Sequence, residues 1–158
     1  MAKIALLVGV SEYLPEFPVL PSAVKDVEAM KEVLGNSKMG GFDEIKVLKN
    51  SNRQKIEEAI YDLFADWNKD DVLVFYFSGH GVLSRKGNLF LATPQTRKGQ
   101  RGIVTPTAVG ASFLQSEMND SFSERLVVIL DCCYSGAFTK GMIAKGYEKI
   151  RYSSRIRR

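Results

Sequence analysis

The chain has 158 residues, of which 45% are apolar and 25% charged, with a formal net charge of +4 and two cysteines. That is enough for one globular domain with a core of its own, and the composition is ordinary for one. It excludes a membrane-spanning helix, because no apolar run approaches ~20 residues. It also excludes a disulfide scaffold, because Cys132 and Cys133 are adjacent and badly placed to bridge each other.

Residues 3–10 (KIALLVGV) read as a buried strand ending at Gly9, entered without a signal-peptide pattern, so a reducing cytoplasm is the expected location. Pro15, Pro18 and Pro21 mark a loop over 11–21. Ser22 is expected to cap a helix whose Val24, Val27, Met30, Val33 and Leu34 recur at helical spacing and which Gly35-Asn36 stops. After a glycine-bearing turn, 45–48 form a short strand. Ser51 or Asn52 caps a second helix with Ile56, Ile60, Leu63, Phe64 and Trp67 inward. Residues 72–77 (VLVFYF) are a second buried strand and 88–92 a short one. Residues 93–104, with Pro94, Gly99 and Gly102, have no period and are expected to be a long mobile loop. Thr105-Pro106 is expected to open a third helix reaching about Met118, with Val109, Phe113 and Leu114 inward. Residues 126–130 (LVVIL) form a third buried strand, expected to be buried on both faces. Beyond Gly136 the pattern fades. Strands alternating with helices give an α/β fold with a mostly parallel sheet.

Chemistry concentrates where two of those strands end. Ser78-Gly79-His80-Gly81 follows the 72–77 run and contains the one histidine of the chain. Asp131-Cys132-Cys133-Tyr134-Ser135-Gly136 follows 126–130. Open α/β sheets place their sites at the carboxyl ends of strands, so parallel neighbours would deliver imidazole and thiol to one edge. An imidazole beside a thiol can stabilise the thiolate and later protonate a leaving amine. The two thiols should diverge, because side chains alternate along a strand. A metal site on Cys132, Cys133 and His80 lacks chelating spacing and a fourth ligand. Gly9-Val10-Ser11 lacks the pattern of a phosphate loop. The basic residues Arg85, Lys86, Arg97, Lys98 and Arg101 stand in a segment, Gly81 to Ser116, without any acid, and five more basic residues lie in 149–158. No nucleic-acid motif accompanies them, so a solvated loop and tail are the preferred reading and nucleic acid is not an expected partner.

The two motifs resemble the histidine and cysteine motifs of the caspase/metacaspase clan of cysteine peptidases. His80 and Cys133 lie 53 positions apart, against about 50 in the caspase pattern. The resemblance implies a caspase-hemoglobinase-like three-layer sandwich, here its large-subunit portion only, with a catalytic domain over 1–136. Residues 137–158, glycine-bearing and basic, are expected to be a mobile C-terminal tail or linker, which by the resemblance leads towards a small subunit. Matched to the metacaspase motif Asp-Ser-Cys-His-Ser-Gly, Cys133 takes the nucleophile's place and Cys132 that of the preceding serine. His80 would then be the acid/base, and the N–H groups of Gly81 and Cys133 the oxyanion hole.

The resemblance also speaks to specificity. Ser22 and Asp131 stand where aspartate-cleaving caspases have arginine and glutamine. Asp26, Ser78 and Asp131 match the S1 pocket of metacaspases that cut after Arg or Lys. The implied activity is therefore a cysteine endopeptidase acting on protein or peptide substrates with Arg or Lys before the cleaved bond. The rival reading is a non-hydrolytic interaction module, or a large subunit inactive without its small one. Calcium-dependent metacaspases carry several acids after Gly-His-Gly, and this chain carries none there, so neither calcium activation nor any other cofactor is expected. Self-cleavage within the arginine-bearing tail, as late as Arg158, is expected to release a mature large subunit.

Overall fold

A computed structural model describes residues 1–134, Phe138 and, as backbone, 150–154. Its centre is a five-stranded sheet of β1 (Lys3–Gly9), β2 (Glu44–Lys49), β3 (Val72–Ser78), β9 (Arg125–Asp131) and β10 (Ile150–Ser154). The strand order is β10-β9-β3-β1-β2, and every pair is parallel. Helices α1 (Pro21–Gly35), α2 (Arg53–Phe64) and α3 (Ala111–Asp120) lie on its faces.

The layers follow from the two-residue period of the strands. Ile4, Leu6 and Val8 of β1, Leu73, Phe75 and Phe77 of β3, and Leu126, Val128 and Leu130 of β9 form one core with Ile56, Ile60, Leu63 and Phe64 of α2 and Leu114 and Met118 of α3. The intervening Ala5, Leu7, Val74 and Tyr76 form a second core with Val27 of α1. One helix below and two above make the α/β three-layer sandwich. On β9 the α1 side is thinner: Val127 and Ile129 are half-buried, so this strand is not buried on both faces as its composition suggests.

Several local expectations are corrected. Leu20 is the N-cap of α1 and Pro21 its first residue, which places Ser22 inside the first turn; proline loses no hydrogen bond at that position and arrives with a helical φ. Asn52, not Ser51, caps α2, accepting from the Lys55 N–H at 2.9 Å. That helix ends at Phe64, so Trp67 reaches the core from the following turn. Thr105-Pro106 opens only a 3-10 turn, Thr105–Thr107. The next three residues form β8 (Ala108–Gly110), and α3 begins at Ala111. Val109 is inward, as expected, but as a strand residue opposite Leu91.

β8 completes a small antiparallel sheet, β4-β5-β8, with β4 (Gly81–Leu83) and β5 (Leu89–Ala92). Residues 93–104 are not a featureless loop. Thr93 and Thr96 are buried and both hydroxyls donate to the Thr107 carbonyl at 2.7 Å. β6 (Lys98–Gly99) and β7 (Gly102–Ile103) pair as a short ribbon. In the C-terminal segment, 150–154 add to the sheet edge beside β9. The rest of 137–158 except Phe138 lies outside the described residues, as do Ser135 and Gly136. Among the described residues no helix is long and apolar enough to cross a membrane.

Candidate active site

From β1 the chain steps outward to β2 in one direction and then to β3, β9 and β10 in the other. Such a reversal opens a crevice at the carboxyl ends of the strands on either side of it, here β1 and β3. Those ends are Gly9 and Ser78, which are paired in register, and Ser78 is in turn paired with Asp131. The histidine and cysteine motifs therefore leave neighbouring strands at the same level.

Continuing the alternation beyond β9 turns the two thiols apart. Cys132 joins the α2/α3 core and is 2% exposed, whereas Cys133 is exposed. Burial, reinforced by the charges of Cys133 and Asp131, pushes the Cys132 thiol up to about 12, so it stays protonated at neutral pH. Tyr134, directly after, has φ 60°, a left-handed conformation that a bulky side chain seldom adopts and that ends the strand in a sharp turn.

The two motifs press on each other through Gly81. A Cβ at this position would run into the Cys133 carbonyl oxygen and stand 3.0 Å from Cys132 Sγ. Glycine is required here by the contact between the motifs. In the small sheet Gly81 is opposite Leu91, and the Ala92 N–H donates to the His80 carbonyl at 2.9 Å. That makes Gly81/Leu91 a non-hydrogen-bonded pair, which leaves the Gly81 N–H outside the ladder.

His80 is held by the loop after β1. Its Nε2 lies 2.6 Å from the Pro18 carbonyl. A carbonyl can only accept, so Nε2 carries the proton and the neutral ring keeps its lone pair on Nδ1. The His80 backbone N–H donates to the Tyr13 hydroxyl at 2.8 Å, and that hydroxyl donates to the Val10 carbonyl at 2.8 Å. The Tyr13 ring meets the imidazole edge-on, 4.5 Å between centres, and Phe17 lies 5.9 Å away. Burial raises the Tyr13 hydroxyl far above the usual phenol range, so it acts as a neutral donor and acceptor. Gly79 gives it room: a Cβ there would be 2.6 Å from that hydroxyl. Sequence reasoning missed Tyr13, Phe17 and Pro18. An aromatic in a proline-rich loop has no periodic signal, and a backbone carbonyl has no residue signature at all.

The three expected pocket residues are brought together. Ser78 is buried and its hydroxyl donates to Asp26 Oδ2 of α1 at 3.1 Å. Asp131, 7% exposed, is the register partner of Ser78. By alternation Ser78 shares the α1 face with Val74 and Tyr76, and Asp131 shares it with Val127 and Ile129. Two carboxylates and a hydroxyl thus stand on one face of the sheet end. Asp26 lies on the inner side of its helix, half-buried. Among the described residues no group of three or more His, Cys, Asp or Glu side chains is placed to hold a metal ion.

Comparison with known proteins bears on the fold and the family. The crystal structure of a protein from Geobacter sulfurreducens matches with a TM-score of 0.67 at 20% identity, over 85% of this chain and 52% of the other. At that identity the likeness is one of fold, and the chain spans about half the length of that protein. No curated protein matches. The family model of the caspase domain matches residues 2–155, both motifs included, and so the chain belongs to the caspase-domain family of cysteine peptidases.

Proposed function

We propose that this domain is a cysteine endopeptidase that cleaves after Arg or Lys, with Cys133 as nucleophile and His80 as acid/base. The observation that carries the reading is the meeting of Ser78, Asp26 and Asp131 at the sheet end, between the imidazole and thiol motifs. A partly buried pair of carboxylates with a hydroxyl favours a guanidinium or ammonium group and disfavours an acidic side chain.

In the proposed reaction the proton of the Cys133 thiol passes to Nδ1 of His80, whose Nε2–H stays on Pro18. The thiolate attacks the carbonyl carbon, and the oxyanion is held by the N–H groups of Gly81 and Cys133. The imidazolium then protonates the leaving amine, which departs as the C–N bond breaks. Water hydrolyses the resulting thioester, returning the acid product and the free thiol. The availability of the Gly81 N–H supports the assignment of the oxyanion hole.

Neither metal nor cofactor enters this scheme, and calcium is not part of it, since the acid-free segment Gly81 to Ser116 offers no carboxylate ligand. The protein substrate would be bound with help from a C-terminal small subunit. That partner is proposed from the resemblance of the two motifs to those of the caspase/metacaspase clan. A cytoplasmic setting is proposed with it, as are processing in the 137–158 tail and the division of the chain at 136. The test is hydrolysis of fluorogenic peptides that end in Arg, Lys or Asp. Cleavage of the first two, lost in Cys133→Ala, is expected, whereas a preference for Asp overturns the pocket assignment.

A further inference from the structure

Outside this site a groove of about 1070 Å³ lies between the β4–β5 turn and the β6–β7 ribbon. Arg85, Lys86 and Arg101 line it together with the neutral polar groups of Ser84, Asn88 and Gln100, and among the described residues no carboxylate does. The acid-free run of sequence is thus folded back on itself into one basic wall. A Cβ at Gly102 would lie 3.8 Å from the Arg85 backbone nitrogen, so the two tips are in contact and present their cations jointly. Among the described residues none of the three makes an ion pair. Three exposed like charges held together in this way repel one another and are relieved by an anionic ligand.

The groove is also tied to the site. Arg85 follows His80 by five residues, a span of at most ~16 Å along an extended strand. The base of the ribbon reaches the histidine loop: the Lys98 N–H donates to Glu16 at 2.6 Å, and the Lys98 ammonium lies 5.1 Å from the Phe17 ring centre, next to His80. A peptide in extended form advances ~3.3 Å per residue, so a substrate held at His80 and Cys133 reaches the groove within about five residues of its cleaved bond.

The geometry points to an exosite for acidic residues of the substrate: the Arg85–Lys86–Arg101 groove binds glutamate or aspartate side chains several residues from the cleaved Arg or Lys. The inference rests on the peptidase reading of the site and names the substrate class more narrowly, as peptides with a basic residue at the cut and an acidic run beyond it. A nucleic acid is the poorer occupant. The wall is short, its one aromatic, Phe90, is half-buried, and single-stranded nucleic acids are held by long basic tracks with exposed aromatic platforms.

Binding is measured by fluorescence anisotropy on the Cys133→Ala protein, so that nothing is cut. The probes are fluorescein-labelled peptides with one arginine and a run of glutamates on either side of it in turn, and the same peptides with glutamine. One glutamate peptide should bind about five- to tenfold more tightly than its glutamine twin, and the gain should shrink with added salt. Arg85→Glu combined with Arg101→Glu should abolish the gain with the thermal midpoint retained, and Arg85→Gln with Arg101→Gln should reduce it. Equal binding of glutamate and glutamine peptides overturns the proposal. So does a gain that survives both double variants, or a single-stranded oligonucleotide that competes better than the glutamate peptide. Cleavage by the wild-type protein is scored separately. A glutamate gain without cleavage counts against the peptidase reading, whereas cleavage without a glutamate gain counts against the exosite alone.

Discussion

Gly81 sets its Cα against the carbonyl of Cys133, so closely that the histidine strand and the cysteine turn share a backbone contact with no space for a methyl group. Two segments far apart in sequence are held at a fixed separation by the absence of one side chain. Gly81→Ala should therefore separate them. We expect loss of peptide cleavage by at least ~100-fold with a lower unfolding midpoint, since overpacking against backbone costs ~1–3 kcal/mol and misplaced catalytic groups cost more. Near-normal activity in Gly81→Ala would show that the contact is not needed.

In the proposed mechanism Tyr13 would be a positioning residue that acts through His80. Tyr13→Phe keeps the ring edge against the imidazole and removes only the hydroxyl, leaving the His80 N–H and the Val10 carbonyl without their partner. An unsatisfied buried group costs ~1–3 kcal/mol, and the same energy expressed as misorientation is ~10- to 100-fold in rate. The fall should appear in kcat with KM little changed. His80 is the single histidine of the chain, so its imidazole resonances report the change directly, and an unaltered titration curve in Tyr13→Phe would remove the role.

The two thiols should separate by chemistry. Iodoacetamide at pH 8 should add one carbamidomethyl group, on exposed Cys133, and leave buried Cys132 unmodified while the protein is folded. A second consequence concerns stability. The folded pKa of Cys132 is raised above its unfolded value, so its contribution is complete below about pH 9. It falls as the unfolded thiol ionises and is gone by about pH 12. Cys132→Ala should flatten the stability profile in that window.

The pocket makes its own prediction. Asp131→Ala should reduce kcat/KM for Arg peptides by ~100-fold or more, because an unpaired buried cation costs several kcal/mol. Asp26→Ala should cost less, since Asp26 is only half-buried and already accepts a hydrogen bond from Ser78. Asp131→Asn with full activity would remove the charge argument.

Much of this site was legible because its parts are local. β1, β3 and β9 are apolar runs, the motifs stand directly at the ends of β3 and β9, and strand alternation alone separates Cys132 from Cys133. That Asp26, Ser78 and Asp131 belong together came only through the resemblance, as no period links Asp26 to Asp131; the structure shows their proximity. What failed was decided by partners distant in sequence. Ala108–Gly110 became a strand because Leu89–Ala92 offered a free edge, against a Thr-Pro start that suits a helix. Thr93 and Thr96 could not be recognised as anchors, because their acceptor is the backbone carbonyl of Thr107. Tyr13 and Pro18 belong to the same class, chosen by where β3 delivers His80.

The most direct test of the central claim is the mass of the intact protein after exposure to an arginyl acyloxymethyl ketone, which needs both the nucleophile and the pocket. The account predicts a single adduct, located on Cys133 by peptide mapping, absent in Cys133→Ala and His80→Ala, strongly slowed in Asp131→Ala, and not formed with the aspartyl probe. An adduct on Cys132, faster labelling by the aspartyl probe, or none with the full natural chain would contradict it.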